Sequence, residues 1–351
     1  MIFTAKTAHA TLLSDVAVFG FGVDQFEVPI EECQPYIRTL KFFLGGKSKG
    51  DAGTFVSEDQ RVASAFDRLR EHRMLLEGEK SHDDLVEDLY FKNKLYLDIV
   101  TPDSNHSLSS LESTSVIIAG SGGIGNNVAF AFASLPINQM VLMDFDRVEE
   151  SNLNRQFLFT QNDLGELKVE ALKRRLAERF PVLHMRAREA KVGSDSLAIV
   201  LDETPGKKLV IVSADSQNIV EDTAAACMAR GVAFLNVGYL NDIATIGPFW
   251  IPDAGGACPF CGGDSLGLSP NEQPDDVKLI NRNYSAPSVY VNNATASAMA
   301  MSDVLSWAAS DYANVMSLGR RVGINTRNFD KYEIALSLDP NCAFCARLQE
   351  S

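Results

Sequence analysis

The stretch VIIAGSGGIGNNVAFAFASLPINQMVLMDFDRVEESNLNRQ, Val116 to Gln156, decides how this chain is read. An apolar run ends in a turn with glycine at positions 120, 122, 123 and 125. A helical pattern follows, and a second apolar run ends in Asp144-Phe145-Asp146. A GxGxxG turn between strand and helix aims backbone N–H groups and the positive end of a helix dipole at a phosphate. The turn alone fits a dinucleotide as well as a triphosphate, and Asp144 stands where the ribose hydroxyls of either would be bonded. The residues that follow discriminate. Asn152, Arg155 and Gln156 lie in NLNRQ, and Lys168 opens the next helical pattern. Arg155 offers a planar fork for phosphate oxygens and Lys168 a point charge. Two such cations exceed what a dinucleotide needs and suit a triphosphate attacked at its α-phosphorus. Taken singly, each also reads as a solvated surface charge.

Working outward, VIIAG, MVLMD, KLVIVSAD and VAFLNVG read as strands. Residues 126–135, 165–179 and 220–230 read as helices between them. Nearly continuous apolar strands alternating with helices predict an α/β, doubly wound Rossmann-like parallel sheet with its ligand at the carboxyl ends of the strands. Asp215 ends one of those strands, a place suited to holding Mg²⁺ and equally to capping the following helix.

Residues 1–80 give β-like runs followed by helical patterns, which predicts a small winged-helix-like α+β module. PIEECQPYIRTLKFFL puts Pro29 in a first helical turn. SEDQRVASAFDRLREHRML carries a capping box from Ser57 to Gln60, and GGKSKGDAG (45–53) reads as a loop. Residues 81–112 read as a connector, one amphipathic helix followed by the polar coil TPDSNHSLSS. The α/β domain occupies 113–351.

The chain has 351 residues, of which 46% are hydrophobic and 22% charged, as in ordinary globular proteins. A formal charge of −14 argues against a nucleic-acid surface. No apolar run is long enough to span a membrane, and the N-terminus lacks a signal-peptide pattern, so the expectation is cytoplasmic. Among six cysteines, Cys258/Cys261 and Cys342/Cys345 form CxxC pairs, read as metal ligands or redox dithiols. Cys33 and Cys227, in apolar surroundings, read as buried small hydrophobes.

Taken in order, GSGGIG, DFD, NLNRQ, Lys168 and SAD resemble the ubiquitin-activating superfamily in its bacterial ThiF/MoeB/MccB form. The resemblance implies binding of Mg-ATP, adenylation of a carboxylate and release of pyrophosphate. It places Gly120, Gly122, Gly123 and Gly125 against the phosphates, Asp144 on the ribose and Asp146 beside it. Asn152, Arg155, Gln156 and Lys168 line the phosphates; Arg155, Lys168 and Asp215 are the catalytic set, with Asp215 on magnesium. It also implies that Cys258, Cys261, Cys342 and Cys345 form one structural zinc site, and that the protein is a homodimer.

Within the family the resemblance is greatest to the MccB-type peptide-modifying branch. Asn236–Pro252 and Lys278–Ala296 look like its later segments and are expected to be substrate loops. The N-terminal module is expected to clamp a precursor peptide by strand addition. The implied function is activation of a carboxylate in a ribosomally made precursor peptide for antibiotic biosynthesis, with pantocin-like intrapeptide cyclisation as the outcome. The alternatives are MccB-type nucleotidylation of a peptide C-terminus through a succinimide, and ThiF/MoeB-type adenylation of a sulfur carrier protein. The chain departs from the family at its YxRN-type segment. Here it is Tyr90-Phe91-Lys92-Asn93, so Lys92 brings charge without a bidentate fork.

Overall fold

The computed structural model describes the chain except residues 1, 6, 23, 79–88, 215–217, 253, 262–273, 283, 285, 343–344 and 346–351. Two compact units divide it, Met1–Ser104 and Asn105–Ser351.

The first unit contains β1 (Ile2–Thr4), β2 (Ala10–Leu12), β3 (Val16–Phe21), β4 (Asp24–Pro29) and α1 (Gln34–Phe43). It continues with β5 (Lys47–Ser48), α2 (Lys49–Ser57), α3 (Gln60–Glu71), β6 (Leu76–Gly78) and α4 (Phe91–Val100). β2-β3-β4 and β5-β1-β6 are separate three-stranded sheets, and every pair within them is antiparallel. Alternation along β3 and β4 buries Ala17 and Phe19 with Phe26 and Val28. Phe19 and Phe26 face each other across the register and stack at 5.6 Å. α3 adds Val62, Ala65, Phe66 and Leu69, one helical stripe, to a core rich in phenylalanine.

Several local expectations are corrected here. Pro29 precedes a short 3-10 turn, and α1 begins later, with Pro35 in its first turn. Asp59, not Ser57, caps α3, accepting the Arg61 N–H at 2.8 Å. The loop expected over 45–53 contains β5 and the start of α2, because Ser48 Oγ accepts the Asp51 N–H at 3.1 Å and caps that helix. The connector expected over 81–112 is shared between the units. α4 belongs to the first, where the Arg73 guanidinium donates to the carbonyls of Ile99 and Thr101 at the helix end, each at 2.6 Å. The polar coil is mostly a helix, α5 (Ser104–Glu112).

The second unit continues with β7 (Thr114–Ala119), α6 (Gly123–Ala133), β8 (Gln139–Asp144), α7 (Lys168–Arg179), β9 (His184–Glu189) and α8 (Ser194–Glu203). Then come β10 (Lys207–Val212), α9 (Ile219–Met228), β11 (Ala233–Leu240), β12 (Ile243–Trp250) and α10 (Asp275–Arg282), and finally α11 (Tyr290–Ala308), β13 (Arg320–Asn325) and β14 (Lys331–Ala335). One eight-stranded sheet runs β14-β13-β12-β11-β10-β7-β8-β9. The five strands from β11 to β9 are parallel. All six residues of β7 and of β8 are buried, as a strand covered on both faces requires. Chain order reverses between β7 and β10, the switch point at which such sheets hold ligands. The doubly wound expectation stands, with an addition: β12, β13 and β14 extend the sheet antiparallel. Most of Asn236–Pro252, expected as a substrate loop, is therefore strand, the β11–β12 hairpin turning at Asn241-Asp242.

Candidate functional site

The glycines after β7 answer three steric demands. Gly120 has φ +104°, and a Cβ there would lie 2.6 Å from the Ala214 nitrogen, so only glycine lets β7 turn beside the end of β10. A Cβ on Gly125 would collide with the Gly120 carbonyl oxygen, so α6 starts tight against the strand. A Cβ on Gly122 would meet nothing within 4 Å, leaving this face of the turn open to a ligand. Gly123 backs onto α11, where a Cβ would come within 2.6 Å of Asn293 Oδ1. Ser213, just past β10, donates its hydroxyl to the Gly120 carbonyl at 2.9 Å.

Asp144 ends β8 and ties this turn down. Its Oδ2 accepts the Ser121 N–H at 2.6 Å and its Oδ1 the Asp146 N–H at 2.9 Å. Each oxygen keeps a further lone pair for a ribose hydroxyl. Asp146 pairs with Lys168 at 2.8 Å; the lysine is nearly buried and the carboxylate half exposed. The backbone repeats the tie, Lys168 N–H donating to the Asp146 carbonyl at 2.9 Å. Lys168 is thus the first residue of α7, held at the site by Asp146 with two ammonium N–H groups to spare.

NLNRQ supplies its residues unequally. Asn152 is buried, and its Oδ1 accepts the Glu149 N–H at 3.1 Å, so its carboxamide closes its own turn. Arg155 Nη1 donates to the Ser151 carbonyl at 2.8 Å and to Asn154 Oδ1 at 3.0 Å. Gln156 is buried, with its Oε1 unpartnered. Asp215, expected to hold magnesium, lies outside the described residues. Lys92 is on α4 of the first unit, 5.5 Å from the centre of the Phe91 ring. Lys278–Ala296 spans parts of α10 and α11.

Sequence reasoning missed the clasp between NLNRQ and α7. Fully buried Asp163 accepts from Arg174 at 2.7 Å, from Arg175 at 3.0 and 3.1 Å, and from the Thr160 N–H at 2.6 Å. Burial would raise its carboxyl, but the hydrogen bonds from Arg174, Thr160 and Arg175 outweigh this and hold it down to about 2. The signal was present: Thr160 and Asp163 stand at capping-box spacing, ahead of a helix carrying two adjacent arginines.

The two CxxC pairs come together. The Sγ atoms of Cys258, Cys261, Cys342 and Cys345 all lie within 4.8 Å of one another. The closer approaches are 3.4 Å (Cys261 to Cys345), 3.6 Å (Cys258 to Cys342) and 3.7 Å (Cys258 to Cys261). Tetrahedral zinc with ~2.3 Å bonds sets sulfurs ~3.8 Å apart, so the cluster fits that ion with no open position. Burial pushes the Cys345 thiol up to about 12, so a bound cation is what would hold these groups as thiolates. Cys33 and Cys227 are buried, and burial raises the Cys227 thiol, as expected of packing residues. Among the described residues, no helix is long and apolar enough to cross a membrane.

Among curated proteins, the sulfur carrier protein ThiS adenylyltransferase of Escherichia coli K12 is 28% identical over 163 residues, 46% of this chain and 62% of its own length. The molybdopterin-synthase adenylyltransferase of Salmonella typhimurium is 28% identical over 127 residues, 36% of this chain and 50% of its own length. The chain thus spans about half to three fifths of these relatives. Among solved structures, E. coli MccB with MccA-N7isoASN superposes with a TM-score of 0.84 at 25% identity, covering 98% of this chain and 99% of that one. PaaA shares the fold, with a TM-score of 0.68 at 17% identity and coverage of 94% and 99%. The ThiF family model matches residues 93–344, most of the chain and every site residue described above except Lys92 and Cys345, and this chain belongs to the ThiF family.

Proposed function

We propose that the chain is an ATP-dependent adenylating enzyme that activates a carboxylate of a ribosomally made precursor peptide. The observation that carries this reading is the extent of the likeness to E. coli MccB. It takes in 98% of the chain, the first unit included, and that protein has been solved with ATP, with MccA and with a succinimide.

The residues fit a nucleotide. Gly122 leaves the turn open, Ser121 Oγ and Gln156 Oε1 are buried without partners, and Arg155 and Lys168 bring positive charge. In the proposed reaction a peptide carboxylate oxygen attacks the α-phosphorus, the bond from that phosphorus to the bridging oxygen breaks, and pyrophosphate leaves. Asp144 orients the ribose, while Arg155 and Lys168 offset the charge that builds on the phosphates. Magnesium, assigned to Asp215, would supply further neutralisation. The zinc-type cluster is structural, since four thiolates leave no place for substrate.

For the acyl-adenylate, the closer likeness to MccB favours capture through a succinimide and nucleotidylation over the ring closure expected from sequence. The fold shared with PaaA keeps intrapeptide cyclisation as the second reading. The proposal includes a cytoplasmic homodimer serving peptide-antibiotic biosynthesis, with the first unit holding the peptide.

ATP–pyrophosphate exchange tests the reading. A short peptide encoded beside the gene should support exchange, and a carrier protein ending in Gly-Gly should not. Exchange with the carrier alone would replace this reading with that of a sulfur-carrier adenylyltransferase. Mass spectrometry separates the two fates, since nucleotidylation adds a nucleotide and ring closure loses water. Deleting residues 1–80 should weaken peptide binding at least about tenfold, and an unchanged dissociation constant would remove the clamp.

A further inference from the structure

Immediately after the glycine turn stands Asn126, a residue that neither the motif nor the family likeness brought forward. It is fully buried on the first turn of α6. That face of α6 looks onto the segment following NLNRQ. One turn on, Phe130 meets Phe157 edge-on at 5.8 Å, while Asn126 Oδ1 accepts the Leu158 N–H at 3.0 Å. Since only the oxygen can accept from Leu158, the other end of the carboxamide is Nδ2, a donor. That Nδ2 is buried and has no hydrogen-bond partner among the described residues.

The orphan donor has company. Ser121 Oγ, in the glycine turn, and Gln156 Oε1, two residues before Leu158, are also buried and unpartnered. Buried polar groups are nearly always satisfied, and of the six such orphan atoms among the described residues three lie on these two segments. Two of them, Ser121 Oγ and Asn126 Nδ2, can donate to an acceptor such as a phosphate oxygen, while Gln156 Oε1 calls for a donor. Neighbouring polar groups each have at least one protein partner: Asp144 accepts two backbone N–H groups, Asn152 Oδ1 accepts from Glu149 and Lys168 pairs with Asp146.

We propose that Asn126 is a nucleotide-binding residue whose Nδ2 donates to a phosphate oxygen of bound ATP while its Oδ1 holds Leu158. This rests on the reading of the site as an ATP site. One carboxamide then spans the glycine helix and the loop bearing Arg155 and Gln156, so a bound phosphate and the position of that loop are linked through one side chain.

Titration calorimetry of the full-length protein with ATP at pH 8 tests it, using Asn126→Asp and Asn126→Ala. The aspartate keeps an acceptor for Leu158 but puts an anion where the donor stood; the alanine loses both bonds without adding charge. The expected order is wild type, then alanine about tenfold weaker, then aspartate about a hundredfold weaker. A purely structural asparagine gives the opposite order, because aspartate preserves the loop contact, and aspartate binding as tightly as alanine or better overturns the proposal. Melting temperatures of both variants check the fold. If aspartate does not fold, alanine decides, and unchanged ATP affinity there overturns the assignment. Adenosine is the second probe: an equal loss for adenosine would move the contact to the nucleoside and overturn the phosphate assignment. A wild-type protein that binds no ATP would instead bring down the nucleotide reading itself.

Discussion

At the scale of single residues, Lys168 is the cation most firmly placed. It is buried at the head of α7, and Asp146 fixes it through both side chain and backbone. Lys168→Met should lower kcat/KM for pyrophosphate exchange by about a hundredfold or more, as loss of one preorganised charge at developing anionic character does. A variant retaining a tenth of wild-type activity would remove the catalytic role. This residue was legible in sequence because its charge, its spacing from NLNRQ and the helical pattern behind it agree. Asn152 was legible only as a member of the motif. Asparagine both caps turns and bonds ligands, and only the Glu149 contact reveals that its carboxamide oxygen is spent locally. Asn126 carried no signal, since its importance lies in a contact with Leu158 across 32 positions of sequence.

Between single residues and the whole lie the elements, and here Asp163 sets how α7 meets the preceding loop. Breaking a buried ion pair from one side is costly, so Asp163→Asn should destabilise the protein at neutral pH by about 2–3 kcal/mol in urea unfolding. The sign of the pH effect follows from the lowered carboxyl. Its folded value of about 2 lies below the ordinary 3.8, so the stabilisation is complete above the ordinary value and is lost as pH falls through the folded one. The gap between wild type and variant should therefore narrow between about pH 4 and pH 2, and a gap independent of pH would exclude the ionic clasp. The parallel strands were readable because their apolar runs are continuous. The segments 45–53 and 101–110 were misread because glycine and charged residues dominate the first and serine and other small polar residues the second, and composition conceals a capping serine such as Ser48. β13 and β14 escaped the sequence reading because neither has a continuous apolar run: Arg320, Arg321 and Asn325 flank the buried pair of β13, and β14 is exposed along its whole length.

For the molecule as a whole, the cysteine cluster joins residues 84 positions apart to the core around α9 and β12. One zinc per chain is expected by metal analysis. Cys342→Ser should abolish it and lower the melting temperature by about 5 °C or more; a fully stable, metal-free variant would contradict the structural role. Most distant of all in consequence is the contact between Gly120 and Ser213 across β7 and β10. It closes a loop of about ninety residues, and by polymer statistics bringing such ends together costs on the order of 4 kcal/mol before anything is gained. Only the intervening strands and helices, docked on the same sheet, can offset that cost. The shape of the glycine turn therefore depends on elements up to about ninety residues away, and a short fragment containing the motif lacks the Ser213 contact that braces it.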